Sequence, residues 1–63
     1  MSKMWEHIWN YAMSQKDKVH VFGSKELGWI RVSTKLNQYM IRSTDTLEYA
    51  TRTIQNAISD NYF

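Results

Sequence analysis

The chain has 63 residues, including three Trp, four Tyr and two Phe but no Cys, and its formal net charge at pH 7 is +2. This length allows one small domain, which buries only ~60% of the surface that its unfolded chain exposes and gains no stability from disulfides or thiolate–metal bonds. No apolar run approaches the ~20 residues that cross a bilayer, and no secretory h-region follows the first Met, so we predict a cytoplasmic protein without a membrane partner.

Charge is unevenly distributed along the chain. Residues 1–15 are neutral, residues 16–42 carry six cations against two acids, and residues 43–63 carry one cation against three acids. The excess positive charge therefore lies in the middle of the chain, which points to an anionic partner for that segment.

Residues 3–14 are predicted to form an N-terminal helix, with Ser2 as its N-cap. Apolar residues recur at helical spacing and form a broad stripe: Met4, Trp5, Ile8, Trp9, Ala12 and Met13. The stripe is wider than a short helix needs against one small sheet. It has two interpretations: all of it packs in the core, or Trp5 or Trp9 is partly exposed and docks a partner.

Three strands are predicted next, at residues 18–22, 29–34 and 38–42, joined by turns at residues 23–28 and 35–37. Their alternating pattern defines two faces. One face is apolar and carries Val19, Val21, Ile30, Val32, Tyr39 and Ile41. The other face is basic and aromatic and carries Lys18, His20, Phe22, Trp29, Arg31, Ser33, Gln38, Met40 and Arg42.

Residues 45–59 are predicted to form the closing helix. Asp45 is its expected N-cap, with Thr44 as an alternative, and Glu48 completes a pattern like a capping box. The order α-β-β-β-α predicts an α+β fold: a single domain, residues 1–63, with a three-stranded antiparallel sheet and both helices packed on its apolar face.

The basic and aromatic face, left open in this fold, is the predicted binding site. Cations neutralise phosphates, aromatic rings stack on bases, and a sheet can enter the DNA major groove. We therefore predict a small, non-enzymatic, DNA-regulating protein that docks duplex DNA. The predicted contact residues are Lys18, His20, Trp29, Arg31, Lys35 and Arg42. The opposing interpretation is that Phe22, Trp29 and Met40 form a second small core beneath the N-terminal helix, with the cations as a solvated rim.

Several residues of the strands and of the closing helix support the prediction of DNA docking, because they resemble those of known domains. Gly28-Trp29, the two strands that follow and the segment at residues 45–50 resemble the three-strand-plus-helix DNA-binding domain of plant ethylene-response factors and of integrase arm-binding domains. The helix of those domains opens with a Thr-x-Glu-x-Ala pattern, which Thr46, Glu48 and Ala50 match. The resemblance covers residues 18–58 and implies that Trp29, Arg31 and Arg42 face DNA. The first strand lacks the family's run of Arg, and the leading helix is extra.

The α-β-β-β-α order also resembles the double-stranded-RNA-binding domain. That family grips phosphates with Lys at the start of its last helix. This chain has Ser43-Thr44-Asp45-Thr46 there, with no Lys and one acid. The RNA-binding mechanism is therefore disfavoured.

Residues that could carry catalysis are sparse. His7 and His20 lie on different predicted elements without metal-ligand spacing. The sequence has no nucleophile elbow, no Gly-rich phosphate loop and no paired carboxylates on one element. We predict no enzymatic activity, no metal and no cofactor.

A second hypothesis makes the chain a protein-binding module, namely a small phage-type inhibitor or adaptor that blocks a larger host protein. Its contact residues would be Trp5, Trp9, Tyr62 and Phe63. The same apolar excess on the N-terminal helix could instead drive a homodimer, which would remedy the small core. The small size suits a phage or mobile-element protein under either hypothesis.

Overall fold

The computed structural model describes residues 2–62, which form two helices and three strands. In chain order these are α1 (Lys3–Ser14), β1 (His20–Ser24), β2 (Trp29–Ser33), β3 (Gln38–Arg42) and α2 (Leu47–Asp60). The strands make one antiparallel sheet in the order β1-β2-β3. The predicted α+β fold with α-β-β-β-α order is confirmed.

A single apolar core lies between the two helices and one face of the sheet. Its buried side chains come from both helices and from the sheet region and are at most 3% exposed: Trp5, Ile8, Ala12, Val19, Ile30, Val32, Ile41, Ala50, Ile54 and Ala57. Val21 and Tyr39, also predicted for this face, are half-buried and pack against the core. The alternation of the strands therefore predicted the inner face correctly.

Helix α1 has the predicted bounds and the predicted cap, because the Ser2 hydroxyl accepts a hydrogen bond from the Trp5 backbone N–H at 3.1 Å. Trp5 is only 1% exposed, and its indole Nε1 donates to the carbonyl of Lys25 at 2.9 Å. Trp5 is therefore not partly exposed, whereas Trp9 is half-buried. The Trp5 side chain fills the core and ties α1 to the turn after β1. Neither helix within residues 2–62 is long and apolar enough to cross a membrane.

Strand β1 starts two residues later than predicted. The backbone N–H groups of Lys18 and Val19 both donate to the carbonyl of Gln15, at 2.9 and 3.1 Å, so Lys18 lies in a turn rather than in the strand. The strand then continues through Gly23, where an added Cβ would lie 2.3 Å from the carbonyl oxygen of Trp29. Only glycine allows β1 to approach β2 this closely.

The β2 strand ends one residue before the predicted position, whereas β3 has the predicted bounds. Helix α2 begins at Leu47 rather than at residue 45, and it ends at Asp60. Its N-cap is Thr46, whose hydroxyl accepts from the Tyr49 backbone N–H at 3.1 Å. The prediction of Asp45 as N-cap is wrong, because the Asp45 carboxylate accepts instead from the backbone N–H of Arg42 at 2.8 Å and closes the turn before the helix.

Candidate nucleic-acid interface

The outer face of the sheet, opposite the core, is not covered by either helix. The buried apolar residues of both helices pack against the inner face, and no residue of the outer face belongs to the buried core. The strand register arranges the outer face as three cross-strand rows: His20–Ser33–Gln38, Phe22–Arg31–Met40 and Ser24–Trp29–Arg42. The alternative of a second core beneath α1 is therefore wrong.

The Phe22 ring contacts two neighbouring rings of the outer face, those of His20 and Trp29, edge to face. The ring centroids of His20 and Phe22 are 5.6 Å apart at 74°, and those of Phe22 and Trp29 are 6.1 Å apart at 87°. The guanidinium carbon of Arg31 lies 5.6 Å from the centroid of the Phe22 ring, within cation–π range. These contacts orient the aromatic side chains before any ligand arrives.

The cations of the outer face are not neutralised by carboxylates. Within residues 2–62 the one ion pair is that of Arg52 with Glu48, at 3.2 Å on the exposed side of α2. The side-chain nitrogens of Lys18, Arg31, Lys35 and Arg42 thus have no carboxylate oxygen within the 4.0 Å of an ion pair among these residues. Their positive charge is available to an external anion.

The structure brings three of the six predicted contact residues together in one shallow groove of about 360 Å³. We call this the guanidinium groove, and its lining residues are Leu27, Gly28, Trp29, Arg31, Met40 and Arg42. Trp29 and Arg42 are cross-strand neighbours, as are Arg31 and Met40. Apolar surface thus lies between two guanidinium groups, a combination suited to a planar or partly apolar ligand with negative charge at its edges.

The other three predicted residues meet at the opposite end of the sheet, in a concavity of about 350 Å³. We call this the lysine pocket and define it by six of its lining residues: Lys16, Lys18, His20, Ser33, Lys35 and Asn61. Lys16 and Asn61 were not predicted. Lys16 precedes the strands in a polar link, and its position depends on the turn that follows α1.

Asn61 fixes the shape of the lysine pocket. Its side-chain nitrogen donates to the carbonyl of Lys18 at 2.8 Å, and its side-chain oxygen accepts from the backbone N–H of Lys35 at 3.0 Å. The amide therefore bridges the link before β1 and the turn after β2. The two contacts span 43 and 26 residues of sequence, so no local pattern signals them.

Asp60, also missed from the sequence, anchors the same end of the sheet. Its carboxylate accepts hydrogen bonds from the Tyr39 hydroxyl at 2.5 Å and from the Asn37 side-chain nitrogen at 3.0 Å. The bond from Tyr39, followed by that from Asn37, lowers the pKa of Asp60 below its ordinary value. The same bond to Asp60 is the main cause that raises the pKa of Tyr39.

The residues predicted to bind a protein partner differ in their solvent exposure. Trp5 is buried, Trp9 is half-buried with its ring centroid 6.2 Å from that of Trp5, and Tyr62 is 75% exposed. Phe63 lies outside the described residues. Across residues 2–62, no three side chains of His, Cys, Asp or Glu are grouped as metal ligands.

Comparisons of the chain with protein-family models, with curated proteins and with solved structures find no match. The resemblances to DNA-binding and RNA-binding domains therefore stay predictions. The chemistry of the outer face is the basis for a functional proposal.

Proposed function

We propose that this protein binds nucleic acid without catalysing a reaction, and that it docks duplex DNA on the outer face of its sheet. The observation that carries the proposal is the pairing of two unneutralised guanidinium groups, those of Arg31 and Arg42, with an oriented cluster of aromatic rings on a face that neither helix covers. Charge complementarity with a polyanion supports this ligand over an uncharged one.

The dimensions of the sheet suit a major groove. Neighbouring strands lie about 4.8 Å apart, so the axes of the two outer strands are about 10 Å apart. The major groove of B-DNA has a similar width, about 12 Å. The central strand β2 carries Trp29 and Arg31 on its outer face, and Arg42 is the cross-strand neighbour of Trp29. In this docking Arg31 and Arg42 lie nearest the base edges.

The test compares two double variants that remove the same charge. Arg31→Ala with Arg42→Ala takes both guanidinium groups from the outer face, and Lys3→Ala with Arg52→Ala takes two cations from the helices. A specific Arg–base contact contributes about 1–3 kcal/mol, so losing two of them should weaken duplex binding by about 30-fold or more. The helix variant should bind almost as tightly as the unmodified protein.

Duplex affinity would be measured by fluorescence anisotropy at several salt concentrations, with circular dichroism to show that each variant is folded. Affinity for the unmodified protein should fall steeply as salt rises, because phosphate contacts release counterions. Absence of duplex binding, salt-independent binding, or an equal loss in both double variants would contradict the proposal.

An inhibitor or adaptor that binds a host protein is the second candidate, favoured by the 75% exposure of Tyr62 and the half-exposed Trp9. The burial of Trp5 removes one of its predicted contact residues. Under this candidate, Trp9→Ala with Tyr62→Ala removes partner binding while Arg31→Ala with Arg42→Ala preserves it. A homodimer through α1 would show a concentration-dependent mass in analytical ultracentrifugation, which Trp9→Ala would reduce.

A further inference from the structure

We propose that the lysine pocket is a phosphate-binding site that takes one backbone phosphate of the nucleic acid docked on the outer face. This inference rests on the proposed function and adds a second contact point to it, at the end of the sheet remote from the guanidinium groove.

The charge of the pocket suits a phosphate. Lys16, Lys18 and Lys35 line it, Asp17 is the one acid among its lining residues, and the Asp60 carboxylate lies beside it, 3.5 Å from the hydroxyl of the lining residue Thr34. None of the three lysines has a carboxylate within ion-pair distance among residues 2–62. The three lysines outnumber these two acids, so the pocket keeps a net positive charge, which a phosphate group can neutralise with charge-assisted hydrogen bonds.

The pocket is organised before a ligand binds. Asn61 holds the backbones of Lys18 and Lys35 through its two side-chain hydrogen bonds, of 2.8 and 3.0 Å. Thr34 stabilises the adjacent turn, because its hydroxyl accepts from the backbone N–H of Asn37 at 2.8 Å and from that of Leu36 at 3.1 Å. Fixed backbone positions reduce the entropy lost when the two lysines converge on one anion.

The pocket is continuous with the outer face. His20 and Ser33 form a cross-strand pair that belongs both to the pocket and to the first row of the outer face. Trp29 lies four residues before Ser33 along β2, which corresponds to about 13 Å of extended strand. One duplex can therefore contact both ends of the sheet, with base edges near the guanidinium groove and one phosphate in the pocket.

The first arm of the test uses inorganic phosphate alone. The protein is titrated with sodium phosphate against sodium chloride at matched ionic strength, and backbone amide chemical shifts are recorded. Shifts should concentrate at residues 16–20, 33–35 and 61. The half-saturating phosphate concentration should rise several-fold in Lys18→Ala with Lys35→Ala, and also in the uncharged change Asn61→Ala. It should stay unchanged in Lys3→Ala with Lys25→Ala, which removes the same charge elsewhere.

The second arm uses duplex DNA and the same variants. Each lost phosphate contact should make the slope of log affinity against log salt shallower by about 0.9. We therefore expect a slope shallower by about 0.9 for Lys18→Ala with Lys35→Ala, which removes two lysines from the same phosphate, but not for Lys3→Ala with Lys25→Ala. Unchanged amide spectra away from the substitution show that the lysine variants are folded.

The outcomes separate the pocket from the proposed function. Localised phosphate shifts together with shallower duplex slopes support the inference. Localised phosphate shifts without duplex binding would overturn the nucleic-acid source and the proposed function, leaving a site for free phosphate. Duplex binding with unchanged slopes, or phosphate shifts spread over all lysines, would overturn the pocket while the proposed function stands.

Discussion

The two faces of the sheet are built from the same three strands but differ in what their side chains contact. On the inner face Ile30, Val32 and Ile41 are fully buried between the sheet and the helices. On the outer face their strand neighbours Arg31 and Arg42 have no carboxylate partner within residues 2–62. Packing accounts for the inner face completely, but it does not require unpaired guanidinium groups beside exposed aromatic rings. Stability therefore comes from the inner face, and the outer face is the one on which we propose binding.

The sharpest stability test of this difference uses two adjacent residues of the central strand. Ile30→Ala leaves a cavity in the core and should lower the free energy of unfolding by about 2–5 kcal/mol. Arg31→Ala removes the cation–π contact with Phe22 and should lower it by only about 0.5–1 kcal/mol. Urea unfolding followed by circular dichroism measures both.

Ile30→Val is the control for the inner face, because it keeps the strand propensity and most of the volume and should cost about 0.5–1.5 kcal/mol. If Arg31→Ala destabilises the protein as much as Ile30→Ala does, the outer face is part of the structural core and the division between the faces fails.

A smaller effect on the free energy of unfolding is expected at the end of the sheet that carries the lysine pocket. There, stability depends on pH through Asp60. The hydrogen bond from the Tyr39 hydroxyl is the main cause that lowers the pKa of Asp60 in the folded protein. The ionised Asp60 therefore contributes its full stabilisation above the pKa of an unfolded Asp, about 3.9. That contribution is lost as the pH falls through the lower folded pKa. The raised pKa of Tyr39 acts at the other extreme, so its contribution is lost as the pH rises beyond about 10.

Tyr39→Phe tests this assignment because it removes the main hydrogen-bond donor to Asp60 and leaves the Asn37 donor in place. The pKa of Asp60, measured by NMR from its side-chain carboxyl carbon, should rise toward its ordinary value in the variant. The acid part of the stability profile should become flatter. An unchanged pKa of Asp60 would show that the Tyr39 bond is not what lowers it.

Periodicity predicted the parts of the fold that depend on local pattern. The bounds of α1 and β3 and the two faces of the sheet followed from it, and the Ser2 cap followed from the N-cap preference of serine. The start of α2 did not, because Asp45 and Thr46 are both good N-caps and the choice depends on the Asp45 bond to Arg42 in the preceding turn. The start of β1 depended in the same way on the turn that follows α1.

The candidate site was predictable in composition but not in arrangement. All six predicted contact residues line either the guanidinium groove or the lysine pocket, yet alternation alone placed most of them on one undivided face. The division depends on which residues surround each end, including Leu27 from one turn and Lys16 from another. The bridge made by Asn61 and the hydrogen bond from the Trp5 indole to the carbonyl of Lys25 are tertiary contacts, which the spacing of residues in the sequence does not encode.

We propose that duplex DNA contacts the outer face and not the helices. Chemical-shift mapping tests this proposed contact most directly. A short duplex is added to isotope-labelled protein at low salt, and the backbone amide shifts are recorded residue by residue. We predict the largest shifts in β1 and β2 and at Met40 and Arg42, with little change across the exposed sides of α1 and α2. Shifts concentrated on the helices, or none at saturating duplex, would contradict the account.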